Sequence, residues 1–86
     1  MSTSNYQDFF KGKNITKQGF GTLGRGFGVV KFLAECGAQV LVTDLKPRET
    51  FLTQIQELEK YPNIKYVLGE HREEHFLNCD FVISED

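Results

Sequence analysis

The chain has 86 residues, of which 40% are hydrophobic and 13% aromatic, and a formal net charge of −2. That suits one small domain, or a piece of a larger one, with a globular core rather than a disordered segment. No basic stripe is present and no apolar run nears the ~18–20 residues that span a bilayer, so neither nucleic-acid binding nor membrane contact is expected. The start Met1-Ser2-Thr3-Ser4-Asn5 lacks the charged and apolar regions of a signal peptide, which points to a cytoplasmic protein. Cys36 and Cys79 form no C-x-x-C pair and read as two small buried thiols.

Residues 1–8 read as a flexible N-terminal arm and residues 9–86 as one domain. Phe9 and Phe10 are apolar enough to tuck under it, and Lys11-Gly12-Lys13 reads as a turn into a first strand at Asn14–Gln18. That strand is placed by the glycine-rich run that follows it rather than by its own composition. A central parallel strand is normally a continuous apolar run. Lys17 and Gln18 break that rule, since a buried charge without a partner costs several kcal/mol or loses its proton. A first helix is expected from near Leu23 or Gly24 to Cys36, with Phe27, Val30, Leu33 and Ala34 as its buried stripe and Gly37 as its left-handed stop. Gly26 and Gly28 inside it each cost ~1 kcal/mol relative to alanine, which implies a close backbone approach.

Val40–Thr43 reads as a second strand with Asp44 at its tip. A helix from Arg48 to Lys60 follows, with Phe51, Ile55 and Leu58, helped by Leu52, on its apolar face. Ile64–Leu68 is a third strand, residues 71–78 hold a turn or two of helix with Phe76 and Leu77 inward, and Asp80–Ser84 is a fourth strand. The order β-α-β-α-β-α-β implies an α/β fold, a Rossmann-like parallel sheet with helices on both faces and right-handed crossovers. The chain stops where the fourth strand ends, as a domain truncated before its last elements would.

Gly19, Gly21 and Gly24 have the G-x-G-x-x-G spacing of a nucleotide-phosphate loop. Gly19 permits a tight turn out of the strand, Gly21 lets a phosphate approach the backbone, and Gly24 lets the helix pack against the sheet. The helix N-terminus then offers free N–H groups and a partial positive charge to an anion. The plainer alternative is a strand-to-helix turn that binds nothing. Asp44 lies 20 residues after Gly24, where dinucleotide folds place a carboxylate on ribose hydroxyls. The same position suits the ring N–H of a base, or a cap for the Lys46-Pro47 turn. His71, Glu74 and His75 match the H-x-x-E-H order of one zinc-protease class. No third ligand stands out in the remaining eleven residues and the stretch is as charged as a solvated surface helix, so no metal site is expected. The G-x-x-x-x-G-K-[ST] loop of ATP sites is absent, and no catalytic set of nucleophile and base is apparent.

Phe10-Lys11-Gly12-Lys13, the loop from Gly19 to Gly26, Lys31-Phe32-Leu33-Ala34-Glu35, Val42-Thr43-Asp44-Leu45-Lys46, Asn63-Ile64-Lys65 and Leu68-Gly69-Glu70-His71-Arg72 together resemble the N-terminal domain of the D-glutamate-adding Mur ligases. These are the UDP-N-acetylmuramoylalanine–D-glutamate ligases of bacterial cell-wall synthesis. The resemblance covers residues 9–84 and implies the first domain of a three-domain enzyme, Rossmann-like and holding the UDP part of UDP-N-acetylmuramoyl-L-alanine. It implies that ATP and Mg²⁺ belong to a central domain and the incoming amino acid to a third, both outside these residues. This chain would then bind no cofactor, hold no catalytic residue and be inactive alone. By position, Gly21, Thr22, Leu23 and Gly24 would lie against the diphosphate, and Asp44, Leu45 and Lys46 around the uracil, with Asp44 accepting from its ring N–H. In that family apolar residues stand at the positions of Lys17 and Gln18, and a Pro-Gly turn follows the fourth strand. The same loop and Asp44 would also serve an NAD-binding Rossmann module of a dehydrogenase or regulatory protein.

Overall fold

A computed structural model describes residues 8–20, 25–70 and 72–84, with Arg25 and His75 described by backbone alone. The elements are β1 (Asn14–Gln18), α1 (Arg25–Glu35), β2 (Gln39–Asp44), a 3₁₀ turn (Arg48–Phe51) leading into α2 (Leu52–Glu57), β3 (Ile64–Leu68), α3 (Glu74–Leu77) and β4 (Phe81–Ser84). The four strands form one all-parallel sheet of order β3-β2-β1-β4. This is the Rossmann-like α/β arrangement that the alternation of elements implies. β1 is central: Ile15 stands beside Val40 on one side and Phe81 on the other, and Lys17 beside Val42 and Ile83.

Side chains alternate across a sheet. Ile15, Val40, Val42 and Ile64 share one face, and Val30 and Leu33 of α1, Phe51 of the 3₁₀ turn and Leu58 after α2 pack on them to make the core. The crossovers from β1 to β2 and from β2 to β3 run the same way, so right-handedness sets both helices on that face. The third crossover returns past β1. It brings α3 to the other face, where Thr16, Leu41, Lys65, Glu74, Asn78 and Cys79 line a cavity of about 250 Å³. The chain thus reverses its direction of winding between β1 and β4, and the crevice beyond the carboxyl ends of the strands is where such sheets take ligands.

The stripe expected on α1 is present: Val30, Leu33 and Ala34 are buried and Phe27 half-buried. The helix stops at Gly37, whose φ is +88°, as Ala38 N donates to Leu33 O at 3.2 Å. The Asn63 amide then donates to Ala34 O at 3.0 Å and to Ala38 O at 2.7 Å, tying the end of α1 to the start of β2. Both cysteines are free thiols, Cys36 buried and Cys79 half-buried. Among the described residues no helix is long and apolar enough to cross a membrane.

Phe9 does not tuck under the domain and is 54% exposed, and three expectations about the second and third helices also change. The second helix is shorter than Arg48–Lys60, because its first turn is 3₁₀ and the α-helical part ends at Glu57. Leu52 does not help the apolar face and is 53% exposed. Phe51 points inward, and the next residue is turned by about 100° on a helix, which carries Leu52 off the core. Leu77 also faces out, at 72% exposure, while Phe76 is half-buried. A helix of four residues has too few positions for an apolar stripe to turn both residues inward.

Candidate functional site

The carboxyl ends of β1, β2 and β3 meet at Asp44. At the exit of β1, Gly19 adopts φ +89°, a conformation that costs a residue with a Cβ, and its N–H donates to Thr43 O at 2.7 Å. The next N–H, of Phe20, donates to Asp44 Oδ2 at 2.8 Å. The other carboxylate oxygen, Oδ1, accepts from Lys46 N at 2.9 Å. One side chain therefore holds the start of the glycine loop and the turn after β2 together. Gly69, at φ +86°, closes the third corner by donating to Asp44 O at 2.8 Å and to Lys46 O at 3.0 Å.

Beneath this edge the Phe20 ring is fully buried, with ring centroids 5.1 Å from Phe51 and 6.0 Å from Tyr66. The Arg48 guanidinium lies 5.7 Å from the Tyr66 centroid. Burial pushes the Tyr66 phenol above its usual range, against the pull of Arg48. Beyond β3 a cavity of about 350 Å³ is lined by Arg48, Tyr66, Leu68, Glu70 and Arg72. Arg72 is paired to Glu70 through Nε at 3.2 Å and Nη2 at 3.1 Å, and this hydrogen-bonded pairing holds its guanidinium more firmly charged than usual.

Lys17 is buried, at 3% exposure, yet remains in the strand as expected from its position. Its ammonium donates to Gly19 O at 2.7 Å and to Gln18 O at 3.3 Å. The charge that looked out of place in a central strand thus ends on the carbonyls at the strand's own exit. Gln18 is half-buried, and its Oε1 accepts from the Ser84 hydroxyl on β4 at 3.3 Å.

Of the residues singled out from sequence, Asp44, Leu45 and Lys46 are brought to this edge, with Leu45 exposed. Asp44 does cap the Lys46 turn, but each of its oxygens keeps a second lone pair for another donor. Gly21, Thr22, Leu23 and Gly24 lie outside the described residues, as do His71 and the side chains of Arg25 and His75. Among the described residues no three His, Cys, Asp or Glu side chains are grouped to hold a metal ion.

Gly26, rather than Gly28, makes the close approach expected of the helix glycines: a Cβ on it would collide with the Phe20 carbonyl, whereas one on Gly28 would meet nothing within 4 Å. The energetic cost of glycine in a helix flagged both positions alike. Phe20 as the floor of the site carried no signal in the sequence, and Lys17 stood out there as a charge in a central strand but not as a clamp on the loop.

No protein-family model matches the chain. Curated proteins do. The chain is 41% identical over 74 residues to the UDP-N-acetylmuramoylalanine–D-glutamate ligase of Treponema pallidum, a match that covers 86% of this chain and 14% of that protein. It is 40% identical over 72 residues to the ligase of that name from Roseiflexus sp., covering 84% of this chain and 15% of the relative. For the one from Borreliella burgdorferi the identity is 35% over 78 residues, covering 90% and 17%. The resemblance to the N-terminal domain of these ligases is therefore found across nearly the whole chain, which spans about 15% of the length of the relatives it matches.

Proposed function

We propose that this chain is the substrate-binding part of a ligase that adds D-glutamate in peptidoglycan synthesis, and that it holds the uridine diphosphate of UDP-N-acetylmuramoyl-L-alanine. The observation that carries this reading is the Asp44 carboxylate, which joins the exit of β1 to the turn after β2 at the carboxyl edge of the sheet. A phosphate loop needs N–H groups fixed before the anion arrives, and a base needs a rigid edge to read. In this reading the backbone of Gly21, Thr22, Leu23 and Gly24 receives the diphosphate. Leu45 and Lys46 flank the uracil, and a free lone pair of Asp44 accepts its ring N–H.

ATP, Mg²⁺ and D-glutamate are left to parts of a full-length enzyme beyond these residues, which contain no loop for an ATP γ-phosphate. The 86-residue chain alone is expected to bind and not to catalyse.

Titration of the chain with UDP, UDP-N-acetylmuramoyl-L-alanine and NAD, followed by thermal shift, tests this. Both uridine nucleotides should raise the melting temperature, and Asp44→Ala should abolish that rise. A rise with NAD alone would overturn the uridine reading in favour of a dinucleotide module.

A further inference from the structure

Lys17 is the one buried charged side chain among the described residues. It leaves the central strand on the core face, beside Ile15, and its ammonium reaches the strand's carboxyl end. There it donates to the carbonyl of Gly19 at 2.7 Å. That carbonyl belongs to the same peptide group as the Phe20 N–H, which donates to Asp44 Oδ2 at 2.8 Å. The peptide that opens the glycine loop is thus gripped at both ends, by a cation on its oxygen and an anion on its nitrogen. Both charges align with its dipole, so the peptide cannot flip without losing two charge-assisted hydrogen bonds. A methionine would fill the same volume without the cost of burying an ammonium, so packing alone does not account for a lysine here.

We propose that Lys17 is a positioning residue for the anionic part of the ligand. It fixes the orientation of the Gly19–Phe20 peptide at the entry to the glycine loop, and it keeps one positive charge at the carboxyl end of the central strand. The inference rests on the diphosphate reading above, but not on the identity of the base.

The test compares wild type, Lys17→Met and Lys17→Arg by NMR titration of the whole chain with UDP, uridine and inorganic pyrophosphate. Lys17→Met should weaken UDP and pyrophosphate about tenfold, the scale of one partly screened charge, and leave uridine unchanged. Lys17→Arg should recover most of that loss. An equal loss for uridine and UDP would mean a merely structural lysine and overturn the proposal, as would no loss at all. If wild type binds pyrophosphate in a Lys17-dependent way but shows no preference for uridine nucleotides, the uridine reading fails and Lys17 stands. If wild type binds neither UDP nor pyrophosphate, both fall. Should Lys17→Met not fold, the unaltered chain decides: the Lys17 Nζ resonance should move when pyrophosphate is added, and a fixed resonance overturns the role.

Discussion

Thr43 and Asp44 are neighbours on β2 with opposite fates. Asp44 has a backbone donor on each carboxylate oxygen, whereas Thr43 Oγ1 is buried with no hydrogen-bond partner among the described residues. An unmet buried hydroxyl costs its desolvation and gives nothing back. Thr43→Val keeps the β-branched shape and removes that cost, so it should stabilise the fold by about 1 kcal/mol in urea melts. A destabilised variant would show that the hydroxyl has a partner in solution. That Asp44 belonged at the strand tip was legible in the sequence, because its spacing from the glycines places it there. That both its oxygens would be engaged was not, because their donors are backbone N–H groups that no residue type announces. The same holds for Lys17, whose acceptors include its own strand's carbonyls.

At the level of elements, α1 starts against the exit of β1 and depends on one glycine for the approach. Gly26→Ala forces a methyl into the Phe20 carbonyl and should cost about 3 kcal/mol. Gly28→Ala, with open space at that position, should gain roughly 0.5–1 kcal/mol from helix propensity. Equal effects of the two changes on the denaturation midpoint would sink the close-approach account. Strand β3 was legible to the residue at Ile64–Leu68, since Pro62-Asn63 and Gly69 bound an apolar run. β1 was found through its context and not its composition. The inward faces of the two short helical segments were the least legible. Leu52 and Leu77 lie where a 3₁₀ turn or a single helical turn sets the orientation, and apolar spacing does not fix it.

For the molecule as a whole, the parallel sheet follows from alternation and handedness, but the strand order and the exposure of its margin do not. Among the described residues β4 pairs only with β1, and Val82 on it is 41% exposed. Phe9 stacks on Phe81 with centroids 5.6 Å apart and is itself exposed. An open strand edge with apolar side chains is a template for pairing between chains. The 86-residue chain should therefore associate as its concentration rises in sedimentation experiments, and Val82→Lys should suppress that association. Unchanged association in the variant would place the sticky surface elsewhere.

The Asp44 bridge has a bearing on how tightly a ligand can be held. Ordering a loop at the moment of binding subtracts from affinity. Here the entry of the glycine loop and the turn after β2 are ordered by folding itself, through one carboxylate. The entropy of fixing them is lost once, when the sheet forms, and is not charged again to each ligand that arrives. The corollary is that affinity and folding stability share a residue, and a change at Asp44 cannot alter one and spare the other.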